Sequence, residues 1–187
     1  IFILCFNRPG YLTQVLESLR AQAGVTLDES RIFLLQDGAI DADTNRLHCK
    51  PRLIEENIAA FRSLFPGGQV IGSRFNLGVA GNFDRAERFA FEHLGEEAAI
   101  FLEDDLWLGP YYLASVERLL DFALAHQRIG YVAAYGMHQT PLEGRPADAP
   151  MLGPLGPHWG FGLTRRQWLR QRPFVEEYLR IALATNY

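Results

Sequence analysis

Three carboxylates stand in a row, Glu103-Asp104-Asp105, directly after the apolar run at 98–102. Like charges this close repel unless a cation or hydrogen bonds compensate them. Such clusters suit hard divalent ions, Mg²⁺ or Mn²⁺, with phosphate oxygens completing the shell. The same triplet also reads as a solvated turn opening the helix beyond Pro110. Asp37, in Gln36-Asp37-Gly38, ends another apolar run. Its carboxylate could accept from a base N–H or a ribose hydroxyl, or make a plain Asp-Gly turn. Arg8, in Asn7-Arg8-Pro9-Gly10, brings a guanidinium suited to phosphate, or a surface arginine. Asn76-Leu77-Gly78-Val79-Ala80-Gly81-Asn82 reads as a close-packed turn or as a helix start where backbone can approach an anion. It has neither the dinucleotide glycine spacing nor a phosphate-loop Gly-Lys-Ser/Thr. Trp159 and Phe161 flank Gly160, and aromatic faces of this kind pack on sugars or fill cores. His48, His93, His126, His138 and His158 show no ligand spacing, and no nucleophile triad is supported.

These residues need elements to hold them. Residues 1–6, 31–36, 69–73, 98–102 and 130–135 are short apolar runs and read as strands. Between them apolar residues recur at helical spacing: Leu12, Val15, Leu16 and Leu19; Ile54, Ile58, Phe61 and Phe65; Val79, Phe83, Ala86 and Ala90; Leu113, Val116, Leu120 and Leu124. Alternating strands and helices predict an α/β fold, a mainly parallel sheet with helices on both faces. Ligands of such sheets bind beyond the carboxyl ends of the strands. Arg8, Asp37, Asn76 and Asp105 all follow strands, so they are expected on one rim. Residues 136–157 hold five of the ten prolines and read as a long loop, one that could close over a bound donor. A short strand at 158–163 and helices at 164–171 and 173–184 complete the pattern.

The chain has 187 residues, 48% apolar and 21% charged, enough for one domain with a core. A net charge of −4 argues against a nucleic-acid partner. No apolar run approaches the roughly 18 residues a membrane span needs. A soluble, cytoplasmic domain is the expectation. Two cysteines, Cys5 and Cys49, are too few for a disulfide framework or a zinc site.

Taken in order, Phe6-Asn7-Arg8-Pro9-Gly10-Tyr11-Leu12, Gln36-Asp37-Gly38, Asn76-Leu77-Gly78, Glu103-Asp104-Asp105-Leu106 and Trp159-Gly160-Phe161 resemble GT-A glycosyltransferases. They are most similar to the N-acetylglucosaminyltransferase family that initiates complex N-glycans. The resemblance covers about residues 1–169. It implies a GT-A domain that transfers a sugar, with inversion, from a nucleotide-sugar, UDP-linked, to a glycan or other hydroxyl acceptor. It implies Mn²⁺, or Mg²⁺, with Asp105 as the direct metal ligand. Glu103 and Asp104 would hold the donor sugar and ribose, Asp37 the uracil, and Arg8 the nucleotide side of the pocket. Asn76 and Gly78 complete the donor site, and Trp159-Gly160 would line the donor-sugar and acceptor region. On this reading 1–106 is the nucleotide-binding half and 107–187 the acceptor-side half.

An inverting transfer also needs a carboxylate base for the acceptor proton. The family's Asp-Asp-Trp-like segment after the Trp-Gly strand is absent here. Glu176 and Glu177 are the acids after Trp159, and they sit on an expected helix. The base is therefore expected beyond Tyr187, in a domain that continues past this residue, with Glu176 and Glu177 as the weaker candidates and a different residue as a further alternative. Donor binding without turnover is the alternative. A metal-dependent phosphoryl-transfer enzyme would need more strand-end acids. A sugar nucleotidyltransferase would need a Gly-rich basic first loop that Asn7-Arg8-Pro9-Gly10 does not match.

Overall fold

A computed structural model of the chain describes residues 1–134 and 159–184. The proline-rich stretch 136–157, His138 and His158 lie outside the described residues, and so does the expectation of a loop closing over the donor.

The first four strands are β1 (Phe2–Cys5), β2 (Phe33–Gln36), β3 (Gln69–Gly72) and β4 (Ala98–Glu103). They pair in parallel, and β5 (Tyr131–Val132) and β6 (Phe161–Thr164) extend the sheet to the order β3-β2-β1-β4-β6-β5. The parallel registers are Phe2 beside Phe33 and Phe101, and Phe33 beside Gln69. β6 runs antiparallel to β4, and β5 antiparallel to β6.

Side chains alternate between two cores, as the two-residue strand period requires. On one face Ile3, Leu34, Ile100 and Leu102 pack under α1 (Pro9–Arg20), α2 (Pro51–Leu64) and α4 (Tyr112–Ala125). On the other, Phe2, Leu4, Phe33 and Phe101 pack under α3 (Gly78–Arg88) and α5 (Arg165–Ala184). Phe2 stacks between Phe33 and Phe101, with ring centroids 4.9 and 5.3 Å away. α1 and α2 each begin with a proline at the first helical turn, where a missing N–H costs nothing and φ is already helical.

Several boundaries differ from expectation. β2 starts at Phe33 because Asp28 accepts from Ser30 N–H and draws Glu29–Arg31 into a 3₁₀ turn. α3 runs into a π turn at Phe89–His93 that carries Phe91 into the second core. The two helices expected at 164–171 and 173–184 are one, α5, with Pro173 inside it. Contacts to α3 span the proline: Arg172 pairs with Asp84, and Glu176 with Arg88. Val79 is 71% exposed rather than core, because it sits in the first turn of α3, outside the packed faces of the sheet. No helix among the described residues is long and apolar enough to cross a membrane.

The order of the strands fixes the site. From β1 the chain passes to β2 on one side, and β4 returns to the other side of β1. The carboxyl ends of β1 and β4 therefore diverge into the crevice of a topological switch point. Arg8 follows β1, and Glu103-Asp104-Asp105 ends β4.

Candidate functional site

A cleft of about 150 Å³ opens at this switch point. Arg8, Asp37, Asn76, Glu103 and Asp104 supply its polar wall; Leu4, Phe6, Val79 and Phe83 supply its apolar wall.

Arg8 is the hinge of the polar side. Its Nη2 donates to Asp104 Oδ1 in a close ion pair, and its Nη1 donates to Asp105 Oδ2 at 3.0 Å. Its Nε lies 3.5 Å from Asp104 Oδ2, and the guanidinium sits 5.7 Å from the Tyr11 ring centroid. Burial works against the Arg8 charge, but the hydrogen bonds and charges of Asp104 and Asp105 outweigh it and raise the pKa. Asp104 is 3% exposed, and burial pushes its carboxyl up while Arg8 and the Phe6 N–H pull it down. Glu103 is half-buried, and its carboxyl is also raised, by burial first and then by the neighbouring Asp105 and Asp104 charges.

Asp37 does something the sequence did not announce. It is 3% exposed. Its Oδ1 accepts from Gly38 N and Leu77 N, both at 2.8 Å. Its Oδ2 accepts from Gly78 N at 3.1 Å and Asn76 Nδ2 at 3.2 Å. No side chain of the Asn76-Leu77-Gly78 segment caps α3, so the carboxylate that follows the end of β2 does so. The helix start read from the sequence as an anion site thus already holds an anion, Asp37. Burial still raises its carboxyl, against the pull of those backbone bonds. The crossing is tight: a Cβ on Gly38 would stand 2.4 Å from Phe75 O, and Gly78 has φ of 68°.

Beneath the cleft a buried polar network fixes the β1 end. Gln36 Nε2 and Asn57 Nδ2 both donate to Phe6 O, at 2.7 and 2.9 Å. Cys5 donates to Gln36 Oε1, and burial pushes its thiol well above the usual range. Arg85 Nη2 donates to Gln36 O and Asn82 Oδ1, so its charge is spent on the framework. Asn82 and Phe83, one turn into α3, also line the cleft. The sequence carried their helical spacing but not their direction.

The remaining expected residues lie elsewhere. Trp159 is exposed, and Gly160 takes φ of 108°. A Cβ on Gly160 would stand 2.8 Å from Tyr112 Oη and 3.1 Å from Leu106 Cδ1, so this pair sits beside the last residues of β4 and is not among the described residues lining the cleft. Asp105 reaches the cleft edge through Arg8. Glu176 bonds Arg172 at 3.0 Å and Arg88 at 3.4 Å, and Glu177 bonds Arg180 at 2.6 Å. Both are tied to arginines on and beside α5, and neither lines the cleft. Glu87, on the buried side of α3, was not anticipated. Burial pushes its carboxyl up to about 7, with Asp84 adding repulsion and Arg172 and Gln171 opposing.

Among the described residues no three His, Cys, Asp or Glu side chains gather into a metal cage. The donor set still suits a hard cation. Asp104 and Asp105 both turn an oxygen to one positive group, the Arg8 guanidinium. Mg²⁺ and Mn²⁺ are commonly held by one or two carboxylates plus water and substrate phosphates, not by an all-protein cage.

The sequence matches the family profile of Glycosyl transferase family 2 over residues 1–175. The chain belongs to glycosyl transferase family 2. It carries a glycosyltransferase domain of the GT-A type, and the family implies a nucleotide-sugar donor and an acceptor. No curated protein matches the sequence. Among solved structures, a crystal structure of S. aureus TarS is similar over 66% of this chain, at 17% identity and a TM-score of 0.42. The chain spans 19% of the length of that protein. The family match covers the whole of the cleft, from Arg8 through Asp105, and extends past β6 into α5.

Proposed function

We propose that this family 2 domain transfers a sugar from a UDP-linked donor to an acceptor hydroxyl, with inversion, aided by Mn²⁺ or Mg²⁺. The observation that carries the reading is the convergence of Arg8, Asp104 and Asp105 at the β1/β4 switch point. Arg8 faces the diphosphate. Asp105, whose side chain is 39% exposed, ligates the cation. Glu103 and Asp104 take hydroxyls of the donor sugar and ribose. Asp37, Asn76 and Gly78 form the floor on the base side. Trp159 and Gly160 face the acceptor side, in keeping with a division into a nucleotide half and an acceptor half near residue 106. A bound divalent ion supplies charge compensation for the departing nucleoside diphosphate. The resemblance to N-acetylglucosaminyltransferases makes UDP-N-acetylglucosamine the first donor to try.

Glu176 and Glu177 are assigned no role in catalysis, because both pair with arginines on or beside α5 and neither is among the described residues lining the cleft. That favours, as the second reading, donor binding without turnover by these residues alone. Calorimetric titration of UDP with and without MnCl₂ tests the binding half. The parent should bind UDP more tightly with Mn²⁺, and Asp105→Asn should lose that gain while keeping its fold. UDP affinity indifferent to both Mn²⁺ and Asp105 would overturn the assignment. Transfer measured over a panel of UDP-sugars and acceptors separates the two readings.

A further inference from the structure

The Arg8 bridge raises a question of charge. One guanidinium spans two carboxylates on consecutive residues, one buried and one half-exposed. We propose that Arg8 stands in for the divalent cation while the donor is absent, and that the donor's diphosphate draws it off, so that nucleotide and cation enter together. The inference rests on the donor reading above.

Three observations support it. Among the described residues, Arg8 is the only Arg or Lys that lines the cleft. Arg85, the next basic group, is turned onto the backbone carbonyls of Gln36 and Ile71. Among the described residues, an incoming diphosphate therefore meets Arg8 as its cationic partner. Second, the other anion-binding feature at the rim is already filled, since Asp37 takes the N–H groups of Leu77 and Gly78. Third, the Arg8 side chain is 43% exposed, within reach of an approaching anion. All three guanidinium nitrogens face Asp104 or Asp105, which takes three of the five N–H donors and leaves two.

The consequence is a competition. A divalent ion arriving alone meets carboxylates already paired with Arg8, and it meets the repulsion of that charge. A diphosphate gives Arg8 a second set of oxygens and leaves Asp105 in need of a cation. The diphosphate also supplies ligands of its own. Cation and nucleotide must then raise each other's affinity by the same factor. Arg8 is a positioning residue that sets the order of binding.

The test is Mn²⁺ binding to the intact chain, read by the electron paramagnetic resonance signal of free Mn²⁺, with and without UDP. The parent should bind Mn²⁺ weakly alone and strongly with UDP. Arg8→Gln should bind Mn²⁺ alone roughly tenfold more tightly, because a neighbouring positive charge is gone. It should also bind UDP less well and show a smaller UDP effect on Mn²⁺. Arg8→Lys keeps the charge but reaches one carboxylate at a time, so it should fall between the two. It serves as the informative variant if Arg8→Gln does not fold. Nucleotide-free Mn²⁺ affinity equal in parent and variant would overturn the proposal and leave the donor reading standing. A parent that binds no Mn²⁺ even with UDP would sink both.

Discussion

At the scale of single residues, Asp37 shows how a site is built from a capping interaction. Its two oxygens close the start of α3 from another strand, 40 residues away in sequence from Leu77. Asp37→Ala would leave those buried N–H groups without acceptors. We expect a loss of roughly 2 kcal/mol of stability, the scale of a lost cap plus an unsatisfied donor. Urea denaturation would read it, and an unchanged midpoint would contradict it. UDP affinity should fall with it, since Asn76 and Gly78 lose their anchor. The sequence did carry a hint, because Leu77 stands at the cap position of α3 with no side chain able to cap. Which distant acid would supply the cap was not readable, since that depends on β2 and α3 meeting in space. Arg8, Glu103, Asp104 and Asp105 were legible as a group because strand ends converge by topology. Their ion pairing was not, because sequence gives no distances between side chains.

At the scale of elements, the contact between α3 and α5 should respond to pH. Glu87 is buried, with Asp84 on its own helix, Arg172 and Gln171 on α5, and Tyr131 on β5 within electrostatic reach. Its folded pKa of about 7 lies above the ordinary value of 4.5. The native state therefore holds more protons than the unfolded chain between these two values. The stability this group contributes is complete below pH 4.5 and is lost as pH rises through 7. The size of the effect is roughly 3 kcal/mol across the window. Glu87→Gln should flatten the dependence and stabilise the protein at pH 8. Parallel urea midpoints for parent and variant from pH 5 to 8 would refute this. Packing gives a second expectation at this scale. A Cβ on Gly162 in β6 would meet Leu120 and Val132 at 2.8 Å. Gly162→Ala should cost about 1–3 kcal/mol by overpacking, read by thermal unfolding. Most strands and helices were legible because buried runs and helical spacing rarely mislead over a full turn or more. The exceptions have tertiary causes. α5 continues through Pro173 because Arg172 and Glu176 are held on α3. The reversed direction of β6 is set by pairing with β4, which no local pattern encodes.

At the scale of the whole molecule, the two cores meet at β1 and β4, and the cleft lies over that seam. Ligand binding there should stabilise the entire fold. UDP and Mn²⁺ at a hundredfold excess over Kd would add about 2.7 kcal/mol, or about 5–10 °C in Tm for a domain of this length. A chelator should abolish most of the shift without unfolding the protein, because Arg8 already pairs with Asp104 and Asp105 when no metal is bound. Unfolding by the chelator alone would contradict this. The seam also sets a timetable for synthesis. Arg8 and Asp104 are 96 residues apart. At ribosomal speeds the first strand waits on the order of ten seconds for the fourth. During that interval β1 can pair with β2 but keeps one edge open, with Phe2 and Leu4 awaiting Phe101. The nascent domain is therefore exposed to aggregation until its acidic strand emerges, and the cleft cannot form before that strand is in place.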